Sequence, residues 1–232
     1  MASDERPDIA ARGLERLTDK DLRFLVEHFP GPASSYEDMA RLFASLPTTL
    51  ESMLEAEYVQ RKIFENRQAL LEISPFLLFN VLLRACIGSA RTATDRAVAN
   101  YLANLLTLFV RTDRVYRPEA GDEASYEYLV DLAAEAGRAD ERRRFLLHAH
   151  IGNYALYLTG IFRDALEYRT RYKRRPLDAR YYADMGRVGY RDAASSRHAK
   201  TYQLDDIFLR LALQFDHYRE RLNVLAQQYL FN

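Results

Sequence analysis

The sequence predicts an all-α protein: a multi-helix bundle of eight or nine helices with a buried central helix and a long C-terminal helix. Three observations carry that expectation. Apolar residues recur with a helical period almost throughout and alternate with a strand period almost nowhere. The 232 residues hold only 7 Pro and 9 Gly, while Leu, Ala, Arg and Glu, all good helix formers, recur along the chain. Helix start signals also stand directly ahead of several apolar stripes. With 48% apolar residues there is ample material for a core. The chain is read as a single domain, 1–232, with one candidate subdomain boundary in the 113–125 loop.

Thr18 precedes Asp19, Asp21 and the stripe Leu22, Leu25, Val26 and Phe29, and Ser35 precedes Glu37 and Asp38. Both are N-cap patterns with acidic first turns. Pro30 and Pro32 around Gly31 separate the two helices. Ser74-Pro75 places a capping hydroxyl before a proline at the first helical position and opens the apolar segment FLLFNVLLRAC; Pro47 and Pro176 occupy comparable places. An apolar helix over 97–110 then runs into the longest loop, DRVYRPEAGDEAS at 113–125. Phe145–Phe162 is an 18-residue run without Asp, Glu, Lys or Arg. Its two His, one Asn and two Gly argue for a buried helix of a bundle rather than a membrane span. At the C-terminus, Leu204, Phe208, Leu211, Phe215, Tyr218, Leu222, Leu225 and Tyr229 hold a 3.5-residue period. A continuous helix from Thr201 to Phe231 would be about 46 Å long. It needs a partner along its length, either the bundle itself or a second copy in a homodimer.

The one cysteine, Cys86, sits in an apolar pattern and suits a reducing compartment. The N-terminus is charged and lacks the apolar core of a signal peptide, so the expected location is cytoplasmic, with no membrane association. The net charge of zero conceals a division: residues 1–139 hold 16 basic and 22 acidic side chains, and residues 140–200 hold 14 and 7. Such asymmetry is either matched within the fold or marks an anion site.

Two candidate groups follow. The first is the cluster Arg169, Arg171, Lys173, Arg174 and Arg175, with Tyr181 and Tyr182 interleaved, because guanidinium forks beside phenols suit phosphates and carboxylates. The second comprises pocket candidates in the central helix. His150, Asn153, Tyr154 and Tyr157 share one face, whereas His148 points roughly opposite. The i,i+2 spacing of the histidines is no metal pair, and no ExxH, HExxH or CxxC completes one, so neither metal nor cofactor is expected. Gly152, Gly160, Gly186 and Gly189 fall in helical segments at about 1 kcal/mol each, a cost that close helix approach would offset. Asp205-Asp206 resembles the opening of the aspartate-rich diphosphate–magnesium motif of isoprenoid-type enzymes. No second aspartate cluster accompanies it, and first-turn acids explain the pair.

The function favoured by the sequence is non-catalytic: a binding or regulatory protein whose basic, tyrosine-rich face over 163–200 engages an anionic ligand or an acidic protein surface. Nucleic acid is disfavoured by the neutral chain and the lack of a known reading motif. One alternative is an enzyme or small-molecule carrier with a helical pocket lined by His150, Tyr154, Tyr157 and nearby arginines. The other is a structural homo-oligomer.

Overall fold

In the computed structural model, which describes residues 6–11, 13–28, 47–65, 69–88, 92–172 and 178–231, all regular structure among those residues is helical. The expected all-α class is therefore correct. Packing divides the described residues into two compact units, residues 11–107 and residues 1–10 with 108–232. The segment 113–125 lies wholly inside the second.

The first unit opens with α1 (Asp19–Glu27), entered as the sequence predicts. Thr18 Oγ1 accepts from the Asp21 N–H at 3.2 Å while Asp21 accepts from the Thr18 N–H at 2.8 Å, a reciprocal capping box. The other Asp21 oxygen accepts from the Ser74 N–H at 2.7 Å, so the buried carboxylate joins the start of α1 to a distant turn. Then follow α2 (Pro47–Glu55), α3 (Glu57–Glu65), α4 (Ala69–Glu72), α5 (Pro75–Ile87) and α6 (Ala93–Phe109). Ser74 caps α5 through the Leu77 N–H and Pro75 is its first residue, as expected; Pro47 likewise opens α2. The predicted starts at Ser35 and Pro176, and the break at Pro30–Pro32, lie outside the described residues.

Within the apolar run of α5 one cation is fully enclosed. Arg84, 0% exposed, donates from Nε to Asn80 at 2.6 Å, from Nη1 to Glu55 at 2.8 Å, and from Nη2 to Asn100 at 2.9 Å and to Glu51. Arg96 adds a second cation to Glu55 at 2.9 Å, and Asn100 donates to Glu51 at 3.1 Å. Two arginines thus face two glutamates across α2, α5 and α6, and each Arg84 nitrogen has a partner. Removing one member of such a buried set strands the others.

The second unit begins with a 3-10 turn, Asp8–Ala10, held by the buried Arg114, which pairs with Asp8 and donates to the Pro118 carbonyl at 3.2 Å. Its helices are α7 (Thr112–Val115), α8 (Leu129–Ala136), α9 (Glu141–Ile161), α10 (Arg163–Tyr172), α11 (Ala179–Ser195), α12 (Arg197–Thr201), α13 (Asp205–Leu213) and α14 (Phe215–Leu225), with a last π turn over Ala226–Leu230. The run read as a central helix is the body of α9, capped by Asp140, with 14 of its 21 residues buried. Burial on all sides explains why no apolar stripe is visible in it. No helix among the described residues is long and apolar enough to cross a membrane.

α9 and α11 approach to backbone distance. A Cβ on Gly189 would lie 2.8 Å from the His148 carbonyl oxygen and 2.9 Å from the Gly152 nitrogen, and one on Gly152 would strike the Tyr190 ring at 2.5 Å. Close helix approach is therefore what offsets the helical glycines.

The C-terminal segment differs from the single straight helix of the sequence reading. α12 stops at a turn in which Gln203 takes φ 54, and Gln214, at φ −115 and ψ 31, separates α13 from α14. The chain therefore follows the 3.5-residue pattern in two helices rather than one. The seam itself is real. Leu204, Phe208, Leu211, Phe215, Tyr218, Leu222 and Leu225 are all buried within the unit, where α13 packs on α11 and α14 on α9. Tyr229 is partly exposed.

Arg84→Ala is expected to lower stability by about 3–5 kcal/mol, because Glu51 and Glu55 lose their enclosed partner. Arg61→Ala, which breaks an exposed pair with Glu57, should change it by under about 0.5 kcal/mol; chemical denaturation compares the two. Gly189→Ala should cost about 2–3 kcal/mol, since the clash is with backbone that cannot swing aside. Gly121→Ala, where a Cβ meets open space, serves as the neutral control by thermal unfolding.

Candidate functional site

Five short stretches of the second unit converge on a cleft of about 460 Å³. Phe109 reaches it from the end of α6 and Thr112 and Val115 from α7, with Tyr116 just beyond. Glu127 and Tyr128 come from the approach to α8. α9 contributes Tyr154, Tyr157 and Leu158, and Phe162 follows at its end. Ala165 and Leu166 of α10 and Tyr182 of α11 close the remaining side.

Local sequence places the central wall. Tyr154 and Tyr157 are three apart in α9 and so share a face. The surrounding rings meet edge to face: Phe109 on Tyr157 at 5.0 Å and 81°, and Tyr157 on Phe162 at 5.2 Å and 70°. Such pairs contribute about 0.5–1.5 kcal/mol beyond their burial and hold ring planes roughly perpendicular. Tyr116 tilts against Tyr154 at 6.1 Å, and the Tyr154 hydroxyl donates to the Glu127 carbonyl at 3.2 Å, tying the wall to the loop. Tyr181 packs edge on to Tyr182 at 5.6 Å. Burial raises the Tyr157 phenol above its ordinary pKa, with Tyr116 adding to the rise, and burial does the same to Tyr181. These hydroxyls are neutral donors and acceptors at pH 7.

The other pocket candidates separate. His150 lies behind the wall, 3% exposed, nearly parallel to the Tyr154 ring at 6.3 Å and edge on to Phe109 at 6.0 Å. Its Nε2 has no hydrogen-bond partner among the described residues. Burial first, then the Arg114 guanidinium, push its pKa down to about 3, outweighing the Val115 carbonyl and Asp122. It is therefore a neutral core histidine at physiological pH. Asn153 turns to α11, where its Oδ1 accepts from the Tyr190 hydroxyl at 2.9 Å. His148 faces the other way, 3.6 Å from Asp192, and burial lowers its pKa against the pull of that carboxylate.

Of the basic cluster, Arg169 and Arg171 belong to α10, but their side chains lie outside the described residues, as do Lys173, Arg174 and Arg175 entirely. Tyr181 and Tyr182 open α11, and Tyr182 lines the cleft. Elsewhere in 140–200 several arginines meet acids. Arg142 pairs with Glu119 and Arg143 with Asp122, both at 2.9 Å. Arg187 pairs with Asp184 at 2.8 Å and with Asp216, and Arg197 with Glu141 at 2.9 Å. Part of the charge asymmetry is matched inside the unit, by Glu119, Asp122 and Asp216 from outside 140–200. Among the described residues no group of His, Cys, Asp and Glu is arranged to hold a metal ion.

Sequence reasoning missed Phe109, Tyr116, Phe162 and Leu166 as wall residues. Phe109 and Tyr116 carry ordinary apolar or loop signals and only long-range packing brings them to Tyr157; Phe162 and Leu166 follow it closely in sequence, beyond the run of polar side chains that marked the face. No protein-family model matches the chain, and no curated protein or solved structure is significantly similar to it.

Below the pH at which an unfolded histidine takes up a proton, near 6.5, folding must hold His150 neutral, so stability falls with acidification from about 6.5 to about 3. Each pH unit in that window removes about 1.4 kcal/mol. Between pH 7 and pH 5 denaturation should show a loss of about 2 kcal/mol from this group. His150→Leu should lack that share of the acid sensitivity whatever its stability at pH 7.

Proposed function

We propose that this protein binds a small organic molecule in the aromatic cleft between α7, α9, α10 and the start of α11. The observation that carries the reading is a cleft of about 460 Å³ walled by mutually perpendicular rings. That size falls in the range of ligand sites, about 300–1,000 Å³, and such sites combine apolar walls with a few placed polar groups. Here the polar groups are the phenols, Thr112 and Glu127. The rings brace one another and the cleft is formed before any ligand arrives, which keeps the ordering cost of binding low. The role that follows is that of a carrier or sensor.

A second reading, engagement of an anionic partner through Arg169, Arg171, Lys173, Arg174 and Arg175 with Tyr181 and Tyr182, rests on the excess of basic residues over 140–200. The two are separable. Ala165 is exposed and lines the cleft, so Ala165→Trp fills the site without disturbing the core. Native mass spectrometry of gently purified protein should show a retained small molecule that Ala165→Trp loses while its helical circular dichroism persists. Reversal of Arg171, Arg174 and Arg175 to Glu should leave that ligand in place. Loss of the ligand on charge reversal but not on filling the cleft would overturn the cleft reading in favour of the basic face.

A further inference from the structure

From the chemistry of the cleft walls we infer that the occupant is an organic ammonium ion, an alkylated or quaternary amine; this rests on the cleft being the ligand site. Aromatic faces are electron-rich, and a cation within about 6 Å of a ring centroid is attracted by the ring quadrupole, by about 0.5–2 kcal/mol per contact as water is excluded. Phe109, Tyr157 and Phe162 stand successively at 81° and 70°. In each pair one ring's edge packs on the other's face, so the ring planes along the wall differ in orientation, which suits a compact charge with no preferred plane. A flat neutral ligand would be served better by parallel walls.

Charge points the same way. Among the described lining residues the only ionisable group other than phenol is Glu127, and none of them is a lysine, arginine or histidine. Glu127 is exposed, so its carboxylate is available to a cation without a large desolvation cost. Tyr154 is already engaged with the Glu127 carbonyl at 3.2 Å. A carboxylate or phosphate ligand would face phenol rings and an acid with no described cation to receive it. The buried Arg114 of α7 is not among the described lining residues, and its Nη groups donate to Asp8 and the Pro118 carbonyl.

The test is isothermal titration of the full chain at pH 7 and low salt with benzyltrimethylammonium, benzyl alcohol and benzoate, three probes that share a ring and differ in charge. The ammonium should bind at least fivefold more tightly than the alcohol. Tyr157→Phe should preserve that preference, Tyr157→Leu should remove it, and Glu127→Gln should weaken the ammonium alone, by severalfold. If benzyl alcohol or benzoate binds as tightly as the ammonium and Ala165→Trp blocks it, the cleft reading stands and the ammonium assignment falls. If none of the three binds the wild-type chain, both fall.

Discussion

Two helices pack at backbone distance only where neither carries a side chain at the crossing, and the contact of Gly152 with Gly189 is such a crossing. A methyl group at Gly189 would press on the His148 carbonyl and the Gly152 amide at once. The side of the site built from α9 and α11 depends on that spacing. It seats the Tyr190 ring over Gly152, where its hydroxyl reaches Asn153 at 2.9 Å. It sets the start of α11, and so Tyr182, beside the Tyr154–Tyr157 face of α9. Phe215 closes over Gly186 and Leu222 over Gly160 by the same logic, which is why the C-terminal seam is consumed by these two helices.

Arg84 and His150 deal with burial by opposite means. Arg84 keeps its charge, because a guanidinium cannot shed its proton; burial is tolerable only with Glu51, Glu55, Asn80 and Asn100 all directed at it. His150 can lose its charge and does so, with a pKa of about 3 and a ring that serves as one more aromatic plate behind Tyr154. The first solution fixes the mutual register of α2, α5 and α6 through directional bonds. The second supplies bulk and stacking at the expense of acid stability. Neither group reaches the cleft, so the chemistry open to a ligand there is that of rings, phenols and one exposed carboxylate.

The excess of basic residues over 140–200 acquires a structural account in the described residues. Arg142 and Arg143 meet Glu119 and Asp122 of the acidic portion, and Arg187 and Arg163 meet Asp216 and Glu220 from the C-terminal helices. These pairs are half-exposed and individually worth little. Together they offset part of the basic excess with acids from outside 140–200.

Helix placement was legible because its causes are local. The Thr18 and Ser74 caps, proline at Pro75, the apolar body of α9 and the 3.5-residue seam all act within a turn or two, and each appears where the sequence puts it. One wall of the cleft was legible for the same reason, since helical periodicity alone sets Tyr154 and Tyr157 on one face. Periodicity could not say which of the polar residues on that face would meet a cavity. Tyr157 does, His150 is sealed behind it and Asn153 is claimed by Tyr190, because partners that decide this, Phe109 and Tyr190, lie 37 or more residues away. The fate of Arg84 and the break at Gln214 were equally hidden. One depends on carboxylates 29 and 33 residues distant, the other on the surface a helix must follow. Local backbone and side-chain preferences are written along the chain and fixed the elements; cavities, buried ion networks and helix breaks arise from what the fold brings alongside, and only the tertiary structure decided them.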